Sequence, residues 1–375
     1  MNAAAAARAR DTLPEDDAMA NPPEISWFSA LCDDDTEFLG VQDAAYLSSY
    51  EHCRDIVAAA EKGGFDNCLL PSGYSLGIDP VAFAGGVAPF VARMRLLLAV
   101  RCGEMWPPQL ARQIATLDRM LNGRLTVNII SSDMPGTALD SAPRYRRTLE
   151  VMEIVRTLLD GRPVDMDGAF YRVKVDPPRI ATVSGRCPPF YFGGLSPAAR
   201  DVAAKAADVF LMWPDRRENV EEILADMRQR ADACGRRLRF GYRVHVIVRD
   251  TEEEARAHAR HIMSRLDTAE GEKLRARALD HASEGVRRQA AMRDVADDEG
   301  FVEDNLWTGI GRARSGCGAA IVGDPDQVVA KLEMYREMGF EAFILSGYPH
   351  AREAEYVSRL VLPRLAHGPL VDVRG

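Results

Sequence analysis

The chain has 375 residues, 47% of them hydrophobic, with a formal net charge of -9 and a pI near 5.4. Such an acidic balance excludes nucleic acid as the main partner, and no stretch reaches the ~20 apolar residues that span a bilayer. Seven scattered cysteines without metal-type spacing, and no His-x-x-x-His, exclude an obvious metal centre and point to reduced thiols in the cytoplasm.

Residues 1 to about 23 carry no apolar period and end in Asn21-Pro22-Pro23, so they read as a disordered leader before a single domain over 24–375. Residues 25–31 form a first strand and 32–35 a loop. Helical spacing over 46–62 stops at Gly63-Gly64. A short buried strand at 68–70 follows, and Asp79-Pro80 opens the next helix, with Asp at the N-cap and Pro at the first helical position. Strands at 95–101 and 125–130 flank a helix over 107–122. A helix over 144–160 leads into a hairpin around Asp167-Gly168. Strands at 190–192 and 208–213 then alternate with helices at 198–206 and 220–234.

The most informative stretch is the strand over 239–248. Alternate residues of a strand share a face. Gly241, Arg243, His245 and Ile247 therefore point one way, and Tyr242, Val244, Val246 and Val248 the other. The second face is apolar and suits packing under helices. The first places a permanent cation and an imidazole two residues apart, and a buried charge needs an answering group. This face reads either as a structural ion pair or as an anion-binding, proton-handling site.

A helix starts at Thr251, and His258 and His261 on it read as solvated. Residues 266 to about 301 are highly charged without a β signal, which suits a helix or a mobile lid; with the Gly-rich loop at 311–323 they form a lid insertion near 266–320. A helix over 325–338, a strand over 342–346 and a helix over 351–365 complete the chain.

About eight strands alternating with about eight helices point to an α/β fold, a (β/α)₈ TIM barrel with insertions, whose active site sits at the C-terminal ends of the strands. That rule singles out Ser72, Arg101, Ser131, residues 193–196, Trp213, His245 and residues 346–350. Gly193-Gly194-Leu195-Ser196 between a strand and a helix outlines a phosphate cradle, or an ordinary tight turn with Ser196 as N-cap. Tyr348 brings a phenol to the barrel mouth, and Arg314 either closes over an anionic ligand or is a solvated cation.

These stretches together carry a family likeness. Residues 111–119 (Ala-Arg-Gln-Ile-Ala-Thr-Leu-Asp-Arg), Arg144-Tyr145, Tyr191-Phe192-Gly193-Gly194, residues 239–249, Asn305-Leu306-Trp307, residues 320–324 and Leu345-Ser346-Gly347-Tyr348-Pro349-His350 occur in family order. In them the chain resembles the FMNH₂-dependent alkanesulfonate monooxygenases of the bacterial luciferase-like superfamily. The resemblance implies reduced FMN delivered by a separate NAD(P)H-dependent flavin reductase. It also implies O₂ activation, cleavage of a sulfonate C–S bond to sulfite and an aldehyde, and a homo-oligomer (dimer or tetramer). It assigns Arg243, His245, Arg314 and Tyr348 to catalysis, with His245 as the base. It assigns Tyr145, Gly194, Leu195 and Ser196 to the FMN phosphate, and Ser72, Asn128 and Ser131 to the isoalloxazine.

Three positions depart from the family pattern. Leu76 replaces its cysteine, Cys32 stands where it has histidine, and Leu195 replaces a serine of the cradle. A related monooxygenase with a non-sulfonate substrate, a deazaflavin-dependent dehydrogenase and a non-catalytic flavin-binding barrel are the alternative readings.

Overall fold

Short apolar strands separated by amphipathic helices can bury both faces of every strand if a parallel sheet closes into a ring. The computed structural model describes residues 21–74, 76–134, 136–137, 139–276 and 283–370, and shows that ring. The expected leader lies outside the described residues up to position 20. Strands β1 (Glu24–Phe28), β2 (Asn67–Leu70), β3 (Arg95–Arg101) and β4 (Leu125–Ile130) pair in parallel in chain order. Strands β5 (Val164–Asp167) and β6 (Arg172–Val175) form a separate antiparallel hairpin, as expected. Its tip is tied down by Glu150, whose carboxylate accepts from the N–H groups of Ala169, Phe170 and Tyr171. Strands β7 (Phe190–Gly193), β8 (Val209–Met212) and β9 (Arg239–Val248) continue the ring. After β10 (Phe301–Glu303), β11 (Leu306–Trp307) and β12 (Ala320–Gly323), strand β13 (Phe340–Ser346) pairs with both β9 and β1 and closes eight parallel strands into a barrel.

The helices are α1 (Tyr50–Gly63), α2 (Pro80–Val87), α3 (Pro107–Met120), α4 (Ser141–Leu159), α5 (Pro197–Ala206) and α6 (Arg217–Ala233). After β9 come α7 (Glu252–Met263), α8 (Thr268–Ala276) and α9 (Glu284–Asp294), and α10 (Pro325–Glu337) and α11 (His350–Leu360) complete the set. The caps follow the side chains. Asp79 and Thr251 accept from the N–H three residues on, and Asp324 with Gln327 forms a full capping box.

Strand β9 has more partners than a barrel strand needs. β13 runs along one edge, from Phe240↔Phe340 to His245↔Ser346. The other edge is shared: β8 takes Arg239 to Tyr242, and β12 takes His245 to Val248. The Gly-rich loop expected over 311–323 is thus a strand from Ala320 onward. Four apolar residues ending at a glycine are too short to show a period, and the free upper edge of β9 recruits them.

The outward face of β9 packs as its alternation requires. The Tyr242 ring lies 4.2 Å from that of Tyr335 on α10 and 4.9 Å from that of Phe340 on β13. At the other end of the ring, Glu24 is wholly buried, and its carboxylate accepts from the Tyr191 hydroxyl at 2.8 Å and from the Asn67 amide at 3.3 Å. The C-terminal tail covers this end: the Leu370 carbonyl accepts from Arg95, and Leu370 is itself buried. Truncating Tyr335, which is fully buried, should therefore loosen α10 from the barrel. Tyr335→Ala should cost about 3–5 kcal/mol in urea unfolding, as other aromatic core truncations do; a loss under 1 kcal/mol would show that α10 is not held by this cluster.

Candidate active site

The C-terminal ends of the strands surround a cavity of about 620 Å³. One wall is cationic. Arg243 projects inward from β9 and lies over the face of Phe28, the last residue of β1, with its guanidinium carbon 4.4 Å from the ring centre. Its Nη1 donates to the carbonyls of Val244 and Ile344, while Nη2 is buried without a partner. Among the described residues no carboxylate forms an ion pair with it. Burial pushes the Arg243 pKa down to about 10, so the charge persists at neutral pH.

Arg314 stands over the same Phe28 ring at 5.1 Å and is fully answered. Its Nη1 donates to the Tyr348 hydroxyl at 2.6 Å and lies 2.8 Å from Asp34 Oδ2. Burial disfavours its charge, but Tyr348 and Asp34 outweigh that and raise its pKa. Burial pushes the Tyr348 phenol up to about 12, so it keeps its hydrogen.

A second part of the wall is the cradle. Gly194 has φ +155, and a Cβ there would lie 2.6 Å from Ala199 Cβ and 3.2 Å from the Tyr145 hydroxyl, so the turn admits only glycine. Ser196 caps α5, its Oγ accepting from Ala199 N at 3.3 Å, with Leu195 beside it. Arg144 pairs with Asp133 but keeps a buried Nε without a partner. Ser131 carries a buried hydroxyl without a partner, and Ser72 and Asn128 line the wall beside it. A helix N-terminus, a glycine turn, a phenol and a guanidinium converge here, a donor set suited to a phosphate. The unanswered Ser131 hydroxyl offers a further polar contact deeper in.

Of the eleven positions that the resemblance assigns to catalysis or FMN, ten line this one cavity and His245 does not; Ser346, Gly347, Pro349 and His350, singled out by their place at a strand end, do not line it either. His245 is wholly buried, its Nδ1 is 2.7 Å from Ser346 Oγ, and its Nε2 has no partner. Its neighbour across the sheet is Ser346, and the chain leaving that strand lays the Tyr348 ring over the imidazole at 5.3 Å, nearly parallel. Inward alternation placed His245 correctly; the Tyr348 segment shields it. Burial, with Arg243, Arg314 and His350 nearby, holds its pKa well below the usual imidazole range.

The expectation that His258 and His261 are both solvated holds for His261, 52% exposed, but not for His258, 13% exposed and 3.6 Å from the buried Glu353. The charged stretch after position 266 contains α8 and α9 among the described residues, and the first turn of α9 reaches the cavity. There Trp213 packs between Gly285 of α9 and Gly316 of the Arg314 loop; a Cβ on Gly285 would meet its ring at 2.9 Å.

Sequence reasoning missed Phe28 and Asp34, the platform and the counter-charge of the cationic wall. Both sit at the C-terminal end of the first strand, where barrel active sites lie. The triple acid Asp33-Asp34-Asp35 was a usable signal that the reading treated as loop.

The closed eight-stranded barrel with its cavity at the C-terminal ends of the strands is a (β/α)₈ barrel. The profile of the family "Luciferase-like monooxygenase" matches residues 36–342, and the chain belongs to that family. It is 63% identical over 354 residues to a sulfoquinovose monooxygenase of Novosphingobium aromaticivorans, covering 92% of this chain and 98% of the relative. It is 51% identical over 356 residues to another of that name from Agrobacterium fabrum, covering 94% and 92%. A solved riboflavin lyase, described with modified FMN and its substrate riboflavin, shares the fold with a TM-score of 0.76 at 15% identity over 94% of each chain. The luciferase-like superfamily expected from the motifs is thus the chain's, while the alkanesulfonate branch is not what these relatives are named for: both are named sulfoquinovose monooxygenases.

The buried His245 makes stability depend on pH. Unfolded, its imidazole takes up a proton near pH 6.5; folded, it does so only well below that. This contribution is intact above about pH 6.5 and is lost as pH falls below it, by up to about 1.4 kcal/mol per pH unit. Urea unfolding at pH 7, 6 and 5 should show a shallower decline in His245→Gln than in the wild type. Parallel declines would mean that the imidazole is protonated in the folded state.

Proposed function

We propose that the protein is the oxygenating component of a two-component, FMNH₂-dependent monooxygenase that cleaves the C–S bond of a sugar sulfonate of the sulfoquinovose type. One observation carries this reading. Arg243 is a buried cation with an unanswered Nη2, on a cavity whose wall elsewhere suits a flavin phosphate. A sulfonate is a permanent anion, and a buried guanidinium binds it through charge-assisted hydrogen bonds. The names of the two relatives support the sugar sulfonate in particular.

In this reading Tyr145, Gly194, Leu195 and Ser196 hold the phosphate of FMN, and Ser72, Asn128 and Ser131 meet its ring system. Reduced FMN bound there would supply two electrons to O₂, one oxygen going to the sulfonate carbon and the other to water. The balance is R–CH₂–SO₃⁻ with O₂ and FMNH₂ giving R–CHO, HSO₃⁻, FMN and H₂O. Arg243 holds the sulfonate. Arg314 accompanies it, and the Tyr348 phenol, which accepts from Arg314, keeps its own hydrogen free for a sulfonate oxygen. His245 stays neutral behind Tyr348 and positions that ring by stacking, so it acts through Tyr348 rather than on the carbon. The first turn of α9, with Trp213, forms part of the cavity wall, where closing over a bound substrate would keep water from the reacting centre.

An NAD(P)H-dependent flavin reductase is the partner that supplies FMNH₂, and the working assembly is a homo-oligomer. All seven cysteines are free thiols, which suits the cytoplasm. Among the described residues no helix is long and apolar enough to cross a membrane.

The test is sulfite release with a flavin reductase, NAD(P)H, FMN and a panel of sulfonates that includes sulfoquinovose. Arg243→Ala should lower kcat/KM at least tenfold, the scale of a lost hydrogen bond to a charged group, roughly 1.5–3 kcal/mol. Arg243→Lys should not restore it, because a point charge does not reproduce a two-pronged contact. Full activity in Arg243→Ala on every sulfonate would remove the anion site on which this reading stands.

A further inference from the structure

The two oxygens of Asp34 have different fates. Oδ2 is committed to Arg314, 2.8 Å away. Oδ1 is buried and has no hydrogen-bond partner among the described residues, although Asp34 forms part of the cavity wall. An acceptor left like this is costly unless a ligand or water answers it. The nearest wall offers little help: Cys32 is a neutral thiol, its pKa raised by burial and then by Asp34 itself, and Leu76 is apolar. Two residues of the cavity wall therefore carry unanswered groups of opposite character among the described residues, the Arg243 Nη2 donor and the Asp34 Oδ1 acceptor, while Arg314 is paired to Asp34 Oδ2.

We propose that Asp34 Oδ1 accepts a hydrogen bond from a ring hydroxyl of the substrate, and that this contact selects a hydroxylated sulfonate over a plain alkanesulfonate. This rests on the sugar-sulfonate reading above. The Asp34 carboxylate repels a sulfonate, while Arg243 attracts it, so the two ends of an asymmetric ligand are told apart. A sulfonated sugar satisfies both groups. An alkanesulfonate answers Arg243 but displaces any water from Oδ1 without replacing its hydrogen bond. Sites that bond a substrate hydroxyl reject analogues lacking it far more strongly than apolar pockets reject a missing methylene, because their own polar group is left unpaired.

The role is separable from the contact with Arg314 by a cycle in which protein and substrate are both altered. The kcat/KM for sulfite release is measured for sulfoquinovose and each of its monodeoxy analogues, with wild type, Asp34→Ala and Asp34→Asn. In the wild type, removing one particular hydroxyl should cost at least tenfold. In Asp34→Ala, removing that same hydroxyl should cost less than twofold, while the other positions cost the same in both proteins. Asp34→Asn keeps the side chain's size and should show a reduced effect of the same hydroxyl, which covers the case that Asp34→Ala does not fold. A uniform loss across all analogues would make Asp34 a support for Arg314 only and overturn the proposal, while the sulfonate reading stood. A wild type that releases no sulfite from sulfoquinovose would instead overturn that reading, and the proposal with it.

Discussion

A guanidinium held inside a barrel without a carboxylate is the constraint around which this molecule is arranged. Arg243 is 5% exposed, with two backbone carbonyls and the face of Phe28 as its company. Desolvation opposes the charge, yet a pKa near 10 leaves it charged at neutral pH. The neighbouring Arg314 intensifies the problem, and the fold answers that one internally with Asp34 and Tyr348. The residual positive charge on the wall is then that of Arg243. A cavity built this way favours an anion before any detail of substrate shape is considered.

The remainder of the site follows from what such an anion must meet. The cradle around Gly194 and Ser196 lies on a second part of the wall, at the N-terminus of α5, where helix polarity favours a second anion. Two anionic groups held by separate parts of the wall can share a cavity of about 620 Å³ without competing for one cation. Trp213, between Gly285 and Gly316, packs the first turn of α9 against the Arg314 loop. His245 is a supporting part of the same wall: neutral, wholly buried, and stacked behind Tyr348.

The two ends of the barrel are divided by function. At the N-terminal ends of the strands, the Glu24 carboxylate accepts from Tyr191, Asn67 and the tail. At the C-terminal ends some polar groups are left incomplete, with Arg243 Nη2, Asp34 Oδ1 and Ser131 Oγ unpartnered among the described residues. Saturated polar networks stabilise, and unsaturated ones facing a cavity mark where a ligand completes the bonding.

The strand alternation of residues 239–248 by itself determined which residues face inward, because a period of two leaves no other choice once one face is apolar. The other barrel strands were legible as short apolar runs between helical stretches, and the cap at Asp79 because capping is local chemistry. Strand β12 was not, since its four residues become a strand through the free edge of β9 and not through a period of their own. The removal of His245 from the cavity wall was equally invisible, because it depends on where the chain after β13 lays the Tyr348 ring. So was the pairing of Arg314 with Asp34, residues 280 positions apart in sequence (314 minus 34) that only barrel closure brings to 2.8 Å. Local order and the inward face are written in near-neighbour spacing. Which charges are answered, and which are left for a ligand, depends on contacts between the ends of different strands, and only the closed barrel sets those.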